Sequence, residues 1–361
     1  MTARPKKILF YLYALGAGGA ERVVAMLASG FAARGHNVAL ALQTEADENR
    51  PFVSPAVRII NLPRSHGAAI QTLADALGRE KPDVSLSALG FCNLKHTVAA
   101  TLAGRRHRAI LSAHGHIDAE PQPISRLSNR LMVATTRLTA RTVCVSDWMR
   151  RHVVDDLHGS AARTVTIYNP APIEQATPAV DAAELAARSP VVLSLGRLVP
   201  GKDFAMLIRA FARLDDPAAQ LVIIGEGPER AALQAQAHAL GVANRVAMPG
   251  YVREPWSYFR EARVCAVSST TESFSNVIVE ALANGLPVVS TDSGGPREIL
   301  THSSQGVLVP VGDEAAMAAA LAAALRSPGD PQPRVTRAQA FSLGATLDAY
   351  DRLFDAVIAG R

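Results

Sequence analysis

Short apolar runs recur along this chain, separated by stretches in which apolar residues return at helical spacing. Residues 7–12, 37–43, 57–62, 82–87, 109–114, 142–146 and 165–170 read as strands of a first half. Between them, 21–34 (with Val23, Val24, Leu27 and Phe31 inward), 70–80, 94–103 and 147–157 read as helices. A Pro- and Ala-rich linker follows, to about Ser189. In the second half 190–198, 220–224, 246–252, 264–267, 286–290 and 306–309 read as strands, and 203–214, 276–283, 314–325 and 341–358 as helices. Such alternation predicts an α/β protein of parallel-sheet units, and no repeat of 20–50 residues is present.

The densest chemistry lies in residues 268–298, SSTTESFSNVIVEALANGLPVVSTDSGGPRE. A polar loop, 269–275, joins a buried strand to a helix that Asn284-Gly285 closes. Gly294-Gly295-Pro296 makes the next turn, with Pro296 suited to a first helical position. Ser275 is the expected N-cap, leaving the amides of Asn276 and Val277 to meet an anion. Glu272 in the loop and Glu280, about two turns beyond it on the helix, are each compatible with a solvated charge. Together they suit the paired hydroxyls of a sugar or ribose.

Other strand ends carry candidate groups. Gly196-Arg197 and Lys202 follow the first strand of the second half, and two cations there suit a diphosphate. Gly225-Glu226-Gly227 makes the next turn. Gly16-x-Gly18 follows the first strand, but Glu21 stands where a dinucleotide fingerprint has its third glycine, and no acidic residue ends the next strand. His114 ends a strand just before Gly115, which suits either a structural histidine or a ligand contact, with His116 as a second candidate.

Composition narrows the class. The 361 residues are enough for two domains. Cys92, Cys144 and Cys265 are far apart and form neither a metal spacing nor a disulfide framework, which fits a reducing cytoplasm. The apolar N-terminus ends in Gly16-Ala17-Gly18-Gly19 and reads as a strand and turn rather than a leader, and no apolar run is long enough to span a membrane. Residues 1–172 carry a balance of +9 and residues 173–361 one of −4. The basic half, including an amphipathic helical stretch at 123–141 with Arg126, Arg130, Arg137 and Arg141, suits an anionic membrane face or a phosphorylated acceptor, or simply reflects an Arg-rich composition.

Glu272-x7-Glu280 followed by ALANGLPVVSTDSGGPREIL resembles the donor-site signature of glycosyltransferase family 4, retaining enzymes of the GT-B fold. GRLVPGKDFAMLIRAF is similar to the family's diphosphate-gripping segment, and the resemblance extends over nearly the whole chain. Ser273 stands where many members have Gly. The resemblance implies two Rossmann-like parallel-sheet domains, an acceptor domain at 1–172 and a donor domain at 173–340, with a terminal helix at 341–361 packing back across both. It implies catalytic roles for Arg197, Lys202, Glu272 and His114. Donor contacts would come from Gly18, Gly19, Gly196, Gly225, Gly227, Val252, Phe274, Ser275, Asn276 and Glu280. The expected reaction moves a sugar, from a UDP-sugar for preference, to a hydroxyl of a glycan or lipid-linked acceptor in bacterial polysaccharide, lipopolysaccharide or oligosaccharide assembly. No Asp-x-Asp occurs, so neither a metal nor another cofactor is expected, and no nucleic-acid partner. The expected location is the cytoplasm, with peripheral attachment to the inner face of its membrane as a further option. A sugar-nucleotide epimerase of the same architecture and a non-catalytic sugar-nucleotide-binding protein are the alternatives.

Overall fold

The apolar runs become the parallel strands of two separate sheets. A computed structural model describes residues 4–115, 131–179 and 181–360. The chain divides into unit 1, residues 1–170 with 343–361, and unit 2, residues 171–342. The division falls two residues before the boundary read from the sequence.

Unit 1 runs β1 (Lys7–Leu12), α1 (Gly19–Ala33), β2 (Asn37–Leu42), β3 (Arg58–Asn61), α2 (His66–Glu80), β4 (Val84–Ala88), α3 (Gly90–Leu102), β5 (Ala109–Ala113), α4 (Met132–Leu138), β6 (Arg141–Cys144), α5 (Asp147–Arg151) and β7 (Thr164–Thr166). Its sheet has the order β3-β2-β1-β4-β5-β6-β7, with every pair parallel. Strand side chains alternate between two buried faces. Ile8, Phe10 and Leu12 pack with Val23, Leu27 and Phe31 of α1. Leu9 and Tyr11 pack with Leu73 and Leu77 of α2 and Ala99 of α3. Both faces are therefore covered, and the strands read as continuous apolar runs.

Unit 2 runs α6 (Ala182–Ala187), β8 (Val191–Leu195), α7 (Phe204–Ala212), β9 (Gln220–Ile224), α8 (Arg230–Ala239), β10 (Val246–Gly250), α9 (Trp256–Glu261), β11 (Val264–Val267), α10 (Asn276–Ala283), β12 (Val288–Thr291), α11 (Pro296–Ile299), β13 (Gly306–Val309), α12 (Glu314–Arg326) and α13 (Gln332–Gln339). Its order is β10-β9-β8-β11-β12-β13, again all parallel. Both sheets are doubly wound. The order reverses between β1 and β4 in unit 1 and between β8 and β11 in unit 2, and open sheets of this kind bind ligands at the carboxyl ends beside that reversal.

Helices α6, α8, α9 and α13 have no counterpart in the sequence reading. Helix α13 is polar and Pro-flanked, and what holds it is a buried guanidinium: Arg334 donates to the carbonyl oxygens of Gly285 (2.8 Å), Ser304 (3.0 Å) and Pro328. Of the basic stretch at 123–141, residues 123–130 lie outside the described residues. Arg137 sits exposed on α4, whereas Arg141 opens β6 rather than extending a helix.

The last helix, α14 (Leu343–Ile358), belongs to unit 1 and packs on α1. Gly30 of α1 admits it, since a Cβ there would lie 2.6 Å from Leu347. Lys6, almost fully buried, pairs with Asp351 and Asp355 at 2.9 Å each, and Arg34 pairs with Asp348 and Asp351. Burial alone would raise the Asp351 carboxyl, but its hydrogen bonds from Lys6 and Arg34 prevail and hold it below the usual range. Burial lowers His36, whose Nδ1 accepts from the Lys6 amide at 3.0 Å. Both groups thus bind protons more weakly in the folded chain than in the unfolded one. Their contribution is complete at neutral pH and is lost as pH falls, through His36 from about pH 6.5 and through Asp351 below about pH 4. Asp351→Asn is expected to melt several degrees below wild type at neutral pH, at a cost of about 1–3 kcal/mol. The gap should narrow in melts below about pH 4; a gap independent of pH would contradict the assignment.

The three cysteines are buried free thiols. Among the described residues no helix is long and apolar enough to cross a membrane.

Candidate active site

Three loops meet at the reversal point of unit 2. The loop after β8 carries Gly196, Arg197 and a short 3-10 turn, Pro200–Lys202. The loop after β11 spans residues 268–275, and the third follows β12. Backbone and side-chain bonds join them. Thr270 N donates to Gly201 O (3.0 Å) and Ser268 Oγ to Lys202 O (2.7 Å). Glu272 N donates to Ser293 O (2.9 Å), and Gly295 N donates to Glu272 O (2.7 Å). The loop carrying Glu272 is therefore held on both sides.

This framework brings Lys202 and Glu272 into a direct ion pair, with Ser269 Oγ donating to the same carboxylate oxygen at 3.1 Å. Sequence reading assigned the cation to a diphosphate and the carboxylate to a sugar, without a contact between them. It also passed over Ser269, whose only signal was its place three residues before Glu272. Arg197 is exposed, and its side chain makes no hydrogen bond or ion pair among the described residues. It stands beside the pair in sequence without joining it.

The glycines explain how the loops approach so closely. Gly225 has φ 145° and a Cβ there would fall 1.8 Å from Gly196 O, while one on Gly227 would fall 2.3 Å from Leu198 O. Leu198 N donates to Glu226 O (2.8 Å), so the turns after β8 and β9 form one layer. Gly295 lies against the backbone of Ser273, 2.5 Å from where its Cβ would be. Among the described residues no group of three His, Cys, Asp or Glu is placed to hold a metal ion.

Three residues expected at the donor, Phe274, Ser275 and Glu280, lie in or just before α10. Ser275 occupies the N-cap position, but its hydroxyl makes no capping bond. Its backbone is left-handed at φ 123°, an uncommon state for a residue with a Cβ. The conformation, not the side chain, turns the loop into the helix that begins at Asn276. Phe274 is buried with its ring edge-on to Phe341 at 5.4 Å, which leaves its backbone rather than its ring for a ligand. Glu280 is 4% exposed and so is not a solvated helix residue. It lies near the buried Cys265 thiol, which burial first and then this carboxylate push upward. Val252 follows β10, half-buried, next to the exposed Tyr251.

The remaining candidates lie in unit 1. His114 follows β5, half-buried, with Nε2 2.9 Å from Ser112 Oγ. Burial pushes its pKa down to about 4, so the ring is neutral at physiological pH. Gly18 precedes α1, whose first residue is Gly19, and a Cβ on Gly18 would strike the Glu21 carboxylate. His116 lies outside the described residues.

Two doubly wound, Rossmann-like parallel domains are the architecture of the GT-B class. Solved structures of that class superpose on nearly all of the chain. HepE of Anabaena in complex with UDP covers 97% of this chain and 100% of its own, with TM-score 0.81 and 20% identity. The lipopolysaccharide glycosyltransferase WaaG covers 97% and 99%, with TM-score 0.71 and 17% identity. The sequence profile described as Glycosyltransferase Family 4 matches residues 17–175, and that described as Glycosyl transferases group 1 matches residues 179–341. The chain belongs to glycosyltransferase family 4 and is by family a transferase enzyme. It is 38% identical over 182 residues to the lipopolysaccharide core biosynthesis glycosyltransferase LpsE of Rhizobium meliloti, a match spanning 48% of this chain and about half, 53%, of LpsE. It is 28% identical over 330 residues, 86% of this chain and 88% of the relative, to the N-acetylgalactosamine-N,N'-diacetylbacillosaminyl-diphospho-undecaprenol 4-alpha-N-acetylgalactosaminyltransferase of Campylobacter jejuni.

Proposed function

We propose that this chain transfers a sugar, with retention, from a UDP-sugar to a hydroxyl of a glycan or lipid-linked acceptor in bacterial lipopolysaccharide or polysaccharide assembly. The observation that carries the reading is the Lys202–Glu272 pair at the reversal point of unit 2, with the exposed Arg197 on the same loop. Relatives named for lipopolysaccharide core and undecaprenol-linked glycan synthesis support the acceptor class. HepE, solved with UDP and with UDP-glucose, supports the donor class.

In this reading Lys202 and Arg197 neutralise the diphosphate as it leaves, a charge best stabilised by groups already held in place. Glu272 holds Lys202 and meets hydroxyls of the transferred sugar. Glu280 meets the ribose. The acceptor oxygen attacks the anomeric carbon from the face the diphosphate leaves, and a leaving phosphate oxygen takes the hydroxyl proton. The new C–O bond replaces the C–O bond to phosphate, and the nucleoside diphosphate departs with the proton. No metal enters this scheme, and turnover is expected to persist in EDTA; loss on chelation with recovery in Mg²⁺ or Mn²⁺ would overturn that part.

A thermal-shift panel of UDP, GDP and ADP tests the donor, with the largest rise expected for UDP. A GDP-specific rise would instead match the relative named a GDP-mannose-dependent alpha-mannosyltransferase of Mycobacterium tuberculosis, 38% identical over 125 residues. Release of UDP only when acceptor is present separates transfer from epimerisation and from simple binding. Gly295→Ala should lower turnover by about tenfold or more while the fold persists, because its methyl must displace the backbone that positions Glu272. Unchanged turnover would show that this loop tolerates displacement.

Peripheral membrane attachment is part of the same proposal. Val98 and Leu102 on α3, and Leu131 and Leu138 beside Arg137 at α4, are exposed apolar side chains with a cation among them. Sedimentation with anionic vesicles is expected, weakening as salt rises. Absence of binding at low ionic strength would favour a soluble acceptor.

A further inference from the structure

We propose that Tyr13, Gln43, His66, Phe91 and Lys95 form a subsite in unit 1 that takes the carboxylate or phosphate of an acidic sugar unit in the acceptor. The acceptor role rests on the glycosyl-transfer reading above; the anion subsite stands on unit 1 alone.

The place is the carboxyl end of the unit 1 sheet at its reversal point. Tyr13 follows β1, Gln43 follows β2, and Phe91 and Lys95 lie on α3 directly after β4, the strand on the other side of the reversal. His66 opens α2, which follows β3. Leu89, between β4 and α3, has φ 75°, a strained turn for a residue with a side chain.

Lys95 is the anomaly. It is 2% exposed, and its contacts are neutral: Gln43 Oε1 at 2.5 Å, His66 Nδ1 at 2.9 Å, and the faces of Phe91 (4.1 Å) and Tyr13 (5.2 Å). Among the described residues no carboxylate pairs with it. A buried ammonium without a counter-charge is costly, and aromatic faces offset only part of that cost. Local folding rules therefore do not account for it, whereas a bound anion supplies what is missing. Burial lowers its pKa, as expected of an ammonium awaiting a partner.

The neighbours point the same way. Gln43 Nε2 donates to Arg64 O at 2.7 Å, which orients the amide and makes its 3.2 Å contact with His66 Nδ1 a second donation to that atom. With Lys95 and Gln43 both donating to Nδ1, the ring proton of His66 sits on Nε2, which has no hydrogen bond among the described residues. His66 is exposed and Tyr13 is 40% exposed, while Phe91 stands edge-on to His66 at 5.0 Å. The cluster thus offers aromatic surface for a sugar face, one outward N–H donor and a cation beneath, a set that selects anionic acceptor atoms.

The test uses the full chain and three probes followed by ligand-observed NMR: methyl glucuronide, glucose 6-phosphate and the neutral methyl glucoside. At least one acidic sugar is expected to bind about tenfold tighter than methyl glucoside, and which one does so distinguishes carboxylate from phosphate. Lys95→Met should erase that preference while UDP affinity, measured by calorimetry, stays at the wild-type value and a cooperative wild-type-like melting curve reports an intact unit 1. Should Lys95→Met misfold, the exposed His66→Ala must weaken the acidic sugar alone. Equal or absent binding of all three sugars by wild type, or a preference that survives both variants, overturns the subsite. Acidic-sugar binding without UDP binding would instead leave the subsite standing and remove the donor reading.

Discussion

Lys202→Ala is expected to cut the rate of sugar transfer by about a hundredfold or more. Its ammonium sits at the meeting point of three loops, paired with Glu272, and the lost charge-assisted contact with a leaving diphosphate corresponds to about 1.5–3 kcal/mol, with a further electrostatic loss specific to the transition state. Removing the lysine also strands the Glu272 carboxylate in a largely buried setting. Glu272→Ala on its own should be similarly damaging, since it frees Lys202 from its position. The double variant should then cost much less than the two losses combined, because both single changes break one unit. Steady-state kinetics on the four forms measures this. Additive losses would mean that the pair is a bystander contact, and near-normal activity of Lys202→Ala would remove the diphosphate assignment altogether. Arg197→Ala should also impair turnover, but without coupling to Glu272, because Arg197 is not part of the pair.

The second large effect separates the two glutamates. Glu280 is buried on α10, and its proposed partner is the ribose, a part of the donor that does not react. Loss of that contact weakens ground state and transition state alike. Glu280→Gln is therefore expected to raise the donor KM and weaken free UDP by about tenfold, with a smaller change in kcat. Glu272 is proposed to meet the transferred sugar while holding Lys202 at the diphosphate, so Glu272→Gln should chiefly lower kcat, with a smaller loss of free UDP affinity than Glu280→Gln shows. Calorimetry with UDP on both variants decides the matter. If Glu272→Gln loses UDP and Glu280→Gln keeps it, the roles are reversed; if neither changes binding or rate, the pair is structural.

The alternation of strands and helices was legible because it depends on local periodicity. Phe31 and Leu27 of α1 are buried as their helical spacing required, and the β1 run is apolar throughout because helices cover both faces of its sheet. The loop and helix at 269–283 were legible for the same reason, bounded by a strand and by Asn284-Gly285. Helix α13 was not, because its stability comes from Arg334 filling a buried set of carbonyls supplied by distant residues rather than from any apolar stripe. Ser275 takes the N-cap position that the sequence implies but without a side-chain bond, because its φ of 123° is set by the loops on either side rather than by local capping preference.

By itself, the sequence determined the two-domain α/β class, the family, and which short segments carry charge and glycine at strand ends. Only the tertiary structure decided which of those groups touch. Lys202 and Glu272 are 70 residues apart, and Lys95 and Gln43 are 52 apart. The first pair meets because the reversal sets β8 beside β11, and the second because it sets β4 beside β1, so that Lys95 reaches past β1 to the residue after β2. That order is chosen by crossover packing, which leaves no period in the chain, so the contacts made at the reversal points cannot be read from spacing.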